Sequence, residues 1–168
     1  MNSKKHIAIV YLGNFFFDAR LINMSLSLQQ NNYRVTIIDI HTTRFQNALF
    51  NNINFSPIKL QNLGKLKYLE FHRKAKALLK KNQYDIIISG DLYSLSAVCA
   101  FKNKTKKIIY DCREIYFELA AHINKPLYKY WNYKFERYYL KYVDQVIVTA
   151  NTDLQYLKEI YQKFKNLK

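Results

Sequence analysis

The chain has 168 residues, of which 49% are hydrophobic, 23% charged and 16% aromatic. That is the length of one ordinary globular domain, and the apolar share is too high for a disordered chain. The formal net charge of +15 would draw phosphate-rich ligands, nucleic acid or anionic lipid head groups, although lysines decorating solvated faces would give the same sum.

In chain order, the opening MNSKKHIAIVYLGNFFFDAR has the lysines and apolar run of a signal peptide. Gly13 and Asn14 interrupt the run and no small-residue cleavage site follows, so HIAIVYL, residues 6–12, reads as a first strand. FDARLINMSLSLQQ fits a helix with Asp18 as N-cap and Leu21, Met24, Leu26 and Leu28 on its apolar side. RVTIIDI (34–40) is a second strand, and INFSPIKL (53–60) a weaker one that Pro57 demotes toward a sheet edge. A basic helix spans 65–82, followed by a strand at 84–89 (YDIIIS) and a helix in DLYSLSAVCAFK capped by Asp91. Then come a strand at 106–111 (KKIIYD), an aromatic helix over 126–142, a strand at 144–149 (DQVIVT) and a last helix, NTDLQYLKEIYQKF, opened by Asn151.

Strand and helix alternate along almost the whole length, and several strands are apolar on both faces. This predicts an α/β fold: a doubly wound, mainly parallel sheet with helices on both faces, Rossmann-like, in a single domain. Ligands in such sheets meet the carboxyl ends of the strands. That edge carries Gly13, Asn14, Asp18 and Arg20 after the first strand, Gly90 and Asp91 after YDIIIS, Asp111, Cys112, Arg113 and Glu114 around the end of KKIIYD, and Ala150, Asn151 and Thr152 after DQVIVT. Gly13 and Gly90 would permit a tight turn or the close approach of a ligand.

GNFFFD holds no G-x-G-x-x-G and the Walker pattern is missing, which removes the NAD, FAD and P-loop readings. Asp18, Asp91 and Asn151 each open a predicted helix, so N-capping accounts for them without a ligand, and Arg20 reads as a solvent or loop contact. Arg113 and Glu114 follow a buried strand directly. They read either as a local ion pair or as an arginine that binds an anion beside a carboxylate that orients a hydroxyl or moves a proton. Neither the two cysteines nor His6, His41, His72 and His122 have metal-ligand spacing, so no metal or cofactor is expected and the histidines read as surface or strand-end residues. Cys112 beside Arg113 is a weaker candidate nucleophile. Two cysteines make no disulfide framework and suggest a reducing compartment. No apolar stretch approaches the roughly 20 residues that span a bilayer, so a cytoplasmic location is expected, with peripheral attachment at the inner membrane face as an extension of it.

The order of these segments resembles glycosyltransferases of the GT-B fold, in particular the family 4-like group. IAIVYLGNFFFDARLINMSLSLQQNNYRVTIIDI is similar to that group's opening, with Asp18 and Arg20 starting the first helix. YDIIISGDLYSLSAVCAFKNKTKKIIYDCREIYFE resembles its middle, which leads into an Asp-x-His-Glu-like motif, and WNYKFERYYLKYVDQVIVTANTDLQYLKEIY the section after it. The resemblance implies transfer of a sugar from a nucleotide-sugar donor to an acceptor hydroxyl without a metal. Arg113 and Glu114 would be the catalytic pair, and Gly13, Asn14, Asp18, Arg20, Gly90, Asp91 and Asp111 would contact substrate.

Two departures qualify this. Arg113 stands where the family has histidine, and arginine is no general base near neutral pH, so its role would be electrostatic. Residues 1–168 correspond to the N-terminal, acceptor-side domain alone, so a donor-binding domain is expected to be missing or separate, and isolated activity is doubtful.

Two segments would give the charge a purpose. GKLKYLEFHRKAKALLKK sets lysines around an apolar side of Leu66, Leu69, Leu78 and Leu79, and PLYKYWNYKFERYYLKYV interleaves tyrosines and Trp131 with Lys129, Lys134, Arg137 and Lys141. These suit an anionic membrane where a glycan or lipid-linked acceptor would lie, or else the aromatic stripe packs on the sheet. The competing readings are a non-enzymatic basic module for membrane or nucleic acid, and a degenerate half-enzyme serving as partner. Nucleic acid is disfavoured because no helix-turn-helix, zinc or RNA-recognition signature occurs.

Overall fold

The computed structural model describes residues 4–41 and 48–162. It holds six parallel strands: β1 (His6–Val10), β2 (Arg34–Ile38), β3 (Ile53–Phe55), β4 (Ile86–Ser89), β5 (Lys107–Cys112) and β6 (Gln145–Val148). Their order in the sheet is β3-β2-β1-β4-β5-β6. β1 is central, and its register sets Ile7 between Val35 and Ile86. All five β1 residues are buried, as a strand covered on both faces demands. β3 is only three residues long and lies at an edge, with Pro57 just beyond it, where a missing N–H does no harm.

Among the described residues four α-helices lie between strands, α1 (Ala19–Gln30), α2 (Leu66–Leu79), α3 (Leu95–Cys99) and α4 (Pro126–Leu140), and a fifth, α5 (Asn151–Ile160), follows β6. α1 buries Leu21 against Ile7, Ile9, Val35 and Ile37 on one sheet face. α2, α3, α4 and α5 cover the other face, where Phe71, Leu95, Leu140 and Leu157 share one core with Val10, Ile87, Ile108 and Tyr110. Both layers follow from right-handed crossovers in this strand order.

Asp18 caps α1 as the sequence predicts, accepting from the Leu21 amide at 2.9 Å. Asn32 ends the turn after it with φ at 63°, a left-handed value asparagine tolerates. Pro126 occupies the first turn of α4, where its lost N–H needs no partner.

Several local expectations change. α3 begins only at Leu95, with Ser94 as its cap residue, so Asp91 is not the helix cap. α5 is capped by Ala150, which makes Asn151 its first helical residue. Lys163 and Phe164, placed in the last helix by the sequence, lie outside the described residues. His6, the first residue of β1, and His41, just beyond β2, are strand-end residues as expected, but both are buried and not at the surface. His6 Nε2 bonds Thr36 Oγ1 at 2.8 Å, and His41 pairs with Asp39. Along α2, Leu79 is in the core, whereas Leu66 and Leu69 face solvent because the inward face is set by Glu70, Phe71 and Ala75.

Glu136, on the inner face of α4, is 1% exposed. It accepts from the hydroxyls of Tyr110 at 2.7 Å and Tyr161 at 2.8 Å. Burial pushes its pKa up, and the two phenols and the Cys112 thiol only partly offset this. A carboxyl whose folded pKa is raised stabilises the fold while protonated, and that contribution is lost as pH rises through the raised value. Glu136→Gln keeps an acceptor without the charge. Followed by circular-dichroism melting from about pH 5 to about pH 8, its Tm should gain on that of the native chain as pH rises. A constant gap would mean that Glu136 is ionised in the folded chain across that range, as it is in the unfolded one.

Candidate functional site

The sheet reverses direction of growth between β1 and β4, so the loops after these strands diverge at the carboxyl edge, the switch point at which sheets of this kind have their ligand crevice. Asp91 closes the bottom of that crevice. Its carboxylate accepts from the Leu12 amide at 2.6 Å and the Ser94 amide at 2.7 Å, joining the two loops. Burial raises its pKa, against the pull of those amides and of Arg113.

The loop after β1 is pinned from the other side. Phe15 is fully buried and meets Phe50 and Phe55 edge-on. Its amide donates to Asp39 at 2.9 Å, and the Gly13 carbonyl accepts from Ile40. Asn14 serves this loop, its side-chain oxygen accepting from Phe16 N at 3.0 Å. Phe15 and Phe16 thus anchor the loop that delivers Asp18 to the edge, while Phe17 faces solvent.

Above the crevice, four charged side chains interlock. Asp111, the fifth residue of β5, is completely buried yet carries two arginines. Arg20 reaches it from α1, with Nη2 2.5 Å from Oδ1 and Nε 3.1 Å from Oδ2, a bidentate fork. Arg113 Nε approaches Oδ2 at 3.2 Å, and its Nη1 pairs with Asp18. Arg20 Nη1 also donates to Thr149 Oγ1 at 3.1 Å, and that hydroxyl donates to the Arg113 carbonyl at 3.1 Å, which ties in β6. Burial works against the charge of Asp18, but the Leu21 amide and Arg113 outweigh it and hold the carboxyl below its ordinary value.

Tyr11 completes the cluster from below. The Arg113 guanidinium lies 4.8 Å from its ring centroid. Burial, then the charge of Asp18, pushes the phenol up to about 12, so it stays protonated and hydrogen-bonds Asp18. Gly13 is what admits this ring: a Cβ there would lie 2.3 Å from its Cε1. Gly90 is tighter against backbone, its notional Cβ falling 3.2 Å from the Val10 carbonyl oxygen. Neither glycine has a positive φ, so both are explained by space and not by turn conformation.

Of the residues singled out in the sequence, Asp18, Arg20, Asp111 and Arg113 come together, with Gly13 and Asp91 as close supports. Arg20 is therefore an ion-pair partner and no mere solvent contact, and Arg113 pairs with Asp18 and Asp111 instead of Glu114. Glu114 stays exposed at the rim, where its charge is felt by Tyr93 and Tyr116. Cys112 is buried and its thiol is pushed well up by burial and by Glu136, which removes it as a nucleophile. Tyr11 and Thr149 were not singled out. Their only signal in the sequence is a polar-tipped side chain at the last position of a strand pattern, for Thr149, or next to last, for Tyr11. One donor of the cluster is unmatched: Arg113 Nη2 is buried and has no hydrogen-bond partner among the described residues.

Two outcomes test this geometry. Asp111→Asn leaves two guanidinium groups facing each other over a neutral amide, and urea titration should show a loss of about 3 kcal/mol, as when one partner of a buried pair is removed. Because Asp18 titrates below its ordinary value, its contribution is present above that value and is lost as pH falls through the lowered one. Asp18→Asn should therefore lose structure less steeply than the native chain below about pH 4 when acid unfolding is followed by circular dichroism.

Known proteins carry the same architecture. A portion of sucrose-phosphate synthase from Thermosynechococcus elongatus superposes with a TM-score of 0.64 at 13% identity, over 92% of this chain and 81% of that one. Phytolacca americana UGT2, solved with UDP-2-fluoro-glucose and pterostilbene, gives 0.65 at 11% identity over 99% of this chain and 53% of that one. The lipopolysaccharide outer core galactosyltransferase WaaB gives 0.58 at 13% identity over 92% and 42%. The chain thus spans about half the length of these last two enzymes. At such identities the likeness is one of fold, that of GT-B glycosyltransferases. No curated protein sequence matches the chain. The sequence profile of Glycosyltransferase Family 4, however, matches residues 19–166, from the first helix through the last, and the chain belongs to that family.

Proposed function

We propose that residues 1–168 form the acceptor-side domain of a glycosyltransferase that moves a sugar from a nucleotide-sugar donor to a hydroxyl of a glycan or lipid-linked acceptor. The donor would be held by a second domain outside these residues. UDP or a UDP-sugar is present in several enzymes of the same fold. In the transfer the bond from the anomeric carbon to the leaving phosphate breaks, a bond to the acceptor oxygen forms, and the hydroxyl proton leaves.

Arg113 carries this reading. Asp18, Asp111 and Tyr11 fix its guanidinium on three sides, which leaves Nη2 a buried donor with no partner among the described residues. An unmatched buried N–H is costly, and a substrate oxygen would relieve it once the side chains that cover Nη2 move aside. A donor held in this orientation acts on charge that develops in the transition state. Its positive charge is balanced by the carboxylates around it, which fits holding an acceptor hydroxyl better than gripping a free phosphate. Glu114, exposed at the rim, is assigned to orienting that hydroxyl or taking its proton. Gly13, Asn14, Gly90 and Asp91 shape the crevice floor, and Arg20 and Asp111 hold it in place. Two free, buried cysteines accord with a reducing, cytoplasmic setting, where nucleotide sugars are made. Glycan or polysaccharide assembly is the process this reading serves.

The test combines the chain with candidate donor-domain proteins, UDP-sugars and glycan or lipid-linked acceptors, and measures UDP release. Transfer is expected only when both domains are present. Arg113→Ala should lower kcat about 100-fold or more while the chain still unfolds cooperatively, and Glu114→Gln should lower kcat with little change in Tm. Undiminished transfer by Arg113→Ala would remove that residue from the site. Failure with every donor domain would favour a partner protein without activity of its own.

A further inference from the structure

Helices α2 and α4 lie in the same layer, each packed against the short α3. Parallel topology brings their N-termini to the carboxyl edge of the sheet, the edge that holds the ion cluster. α3 has only five residues, so it leaves the first turns of its two neighbours close together. Lys65, at the entry to α2, lies with Nζ 5.6 Å from the Tyr128 ring centroid in α4. Tyr68 meets Tyr93 at 4.7 Å, and Tyr93 meets Tyr116 at 5.6 Å, which closes the gap between the helices with rings.

On the outer side of this junction the hydrophobic residues have no cover. Leu63, Leu66, Leu69, Ile123, Leu127 and Trp131 are between 62% and 89% exposed. Gly64, with φ at +56° and open space around it, turns the chain so that Leu63 projects ahead of α2. Soluble surfaces scatter single leucines, whereas six large apolar side chains at the entries of two adjoining helices form a patch. Its frame is basic throughout. Residues 59–69 contain Lys59, Lys65 and Lys67, and residues 119–135 contain Lys125, Lys129 and Lys134, with no aspartate or glutamate in either stretch. The acids nearest in sequence are occupied: Glu70 is buried against Lys74, Glu118 pairs with Lys129, and Glu136 is buried beneath the hydroxyls of Tyr110 and Tyr161.

We infer that this face docks on an anionic lipid bilayer, with the leucines and Trp131 entering the interface and the lysines meeting lipid phosphates. Charge complementarity selects the occupant. Lysines snorkelling around an aliphatic and indole patch suit a surface of negative head groups over hydrocarbon, while a second copy of the chain would bring lysine against lysine. The attachment is peripheral, since no helix among the described residues is long and apolar enough to cross a membrane. It stands apart from sugar transfer, but it would lay the crevice beside the bilayer, where a lipid-linked hydroxyl is found.

Trp131 is the only tryptophan in the chain, so its emission reports on this patch alone. Vesicles of phosphatidylglycerol and phosphatidylcholine should shift that emission to the blue and shield it from acrylamide, and pure phosphatidylcholine should do so far less. Raising salt should weaken binding. Leu66→Ser/Leu69→Ser, at two exposed positions, should bind such vesicles about tenfold or more less tightly in flotation. Lys80→Ala/Lys104→Ala, at the opposite edge of the sheet, should bind as the native chain does. Vesicle binding that leaves Trp131 emission unchanged, or that survives the leucine substitutions, would overturn the proposal. So would a blue shift that grows with protein concentration without lipid, which would mark the face as a contact between copies, or one produced by nucleic acid and not by vesicles.

Discussion

A carboxylate with no solvent exposure cannot stay charged unless its surroundings supply positive charge, and Asp111 meets this condition with two arginines from different parts of the chain. Arg20 comes from the start of α1, behind the central strand. Arg113 comes from the loop that follows Asp111 itself. Satisfying that one acid therefore fixes where α1 begins relative to β5, directs the β5 loop back toward β1, and, through Thr149, fastens the end of β6. Apolar packing holds the sheet together, but it has no means of setting the positions of polar groups at its rim. The Asp111 pairs do.

The alternating pattern made the fold legible because a parallel sheet leaves few arrangements open. Once HIAIV, RVTII, DIIIS and KIIYD are read as strands apolar on both sides, right-handed crossovers give the two helical layers. The family was legible too, from motifs whose order mattered more than any one of them. What stayed hidden was pairing. Arg20 and Asp111 are 91 positions apart, and Asp18 and Arg113 95 apart; nothing local in the sequence tells an exposed arginine from one that reaches a buried acid. Local reasoning offered Glu114 as the one possible ion-pair partner of Arg113, because it is next to it, and left that reading level with anion binding. Tyr11 was read as an ordinary strand residue, although its place at the end of β1 puts it under the guanidinium. The aromatic helix failed differently. Tyr133 does stack on Tyr161 in the core, as a packing stripe would, while Trp131 and Leu127 turn outward, and helical periodicity alone gave no reason to prefer either half.

The two halves of the edge also differ in kind. Around β1, β4 and β5 the polar groups are held by short, charge-assisted contacts and buried amides, an arrangement that tolerates little movement. Around the entries of α2 and α4 the side chains are long, exposed and cationic, and they can adapt to an irregular surface. Sharing a fold with transferases does not by itself establish chemistry. A rigid polar crevice next to an adaptable apolar one is a property of this chain's own residues.

The ring of Tyr11 and the bare α-carbon of Gly13 fill one volume between them. The two positions are consequently not free to drift independently through evolution: a methyl group at 13 demands a smaller or differently directed side chain at 11, and losing the ring withdraws the floor beneath the guanidinium. Related chains should therefore vary at these sites in concert, with glycine kept wherever an aromatic precedes it by two residues and released wherever it does not.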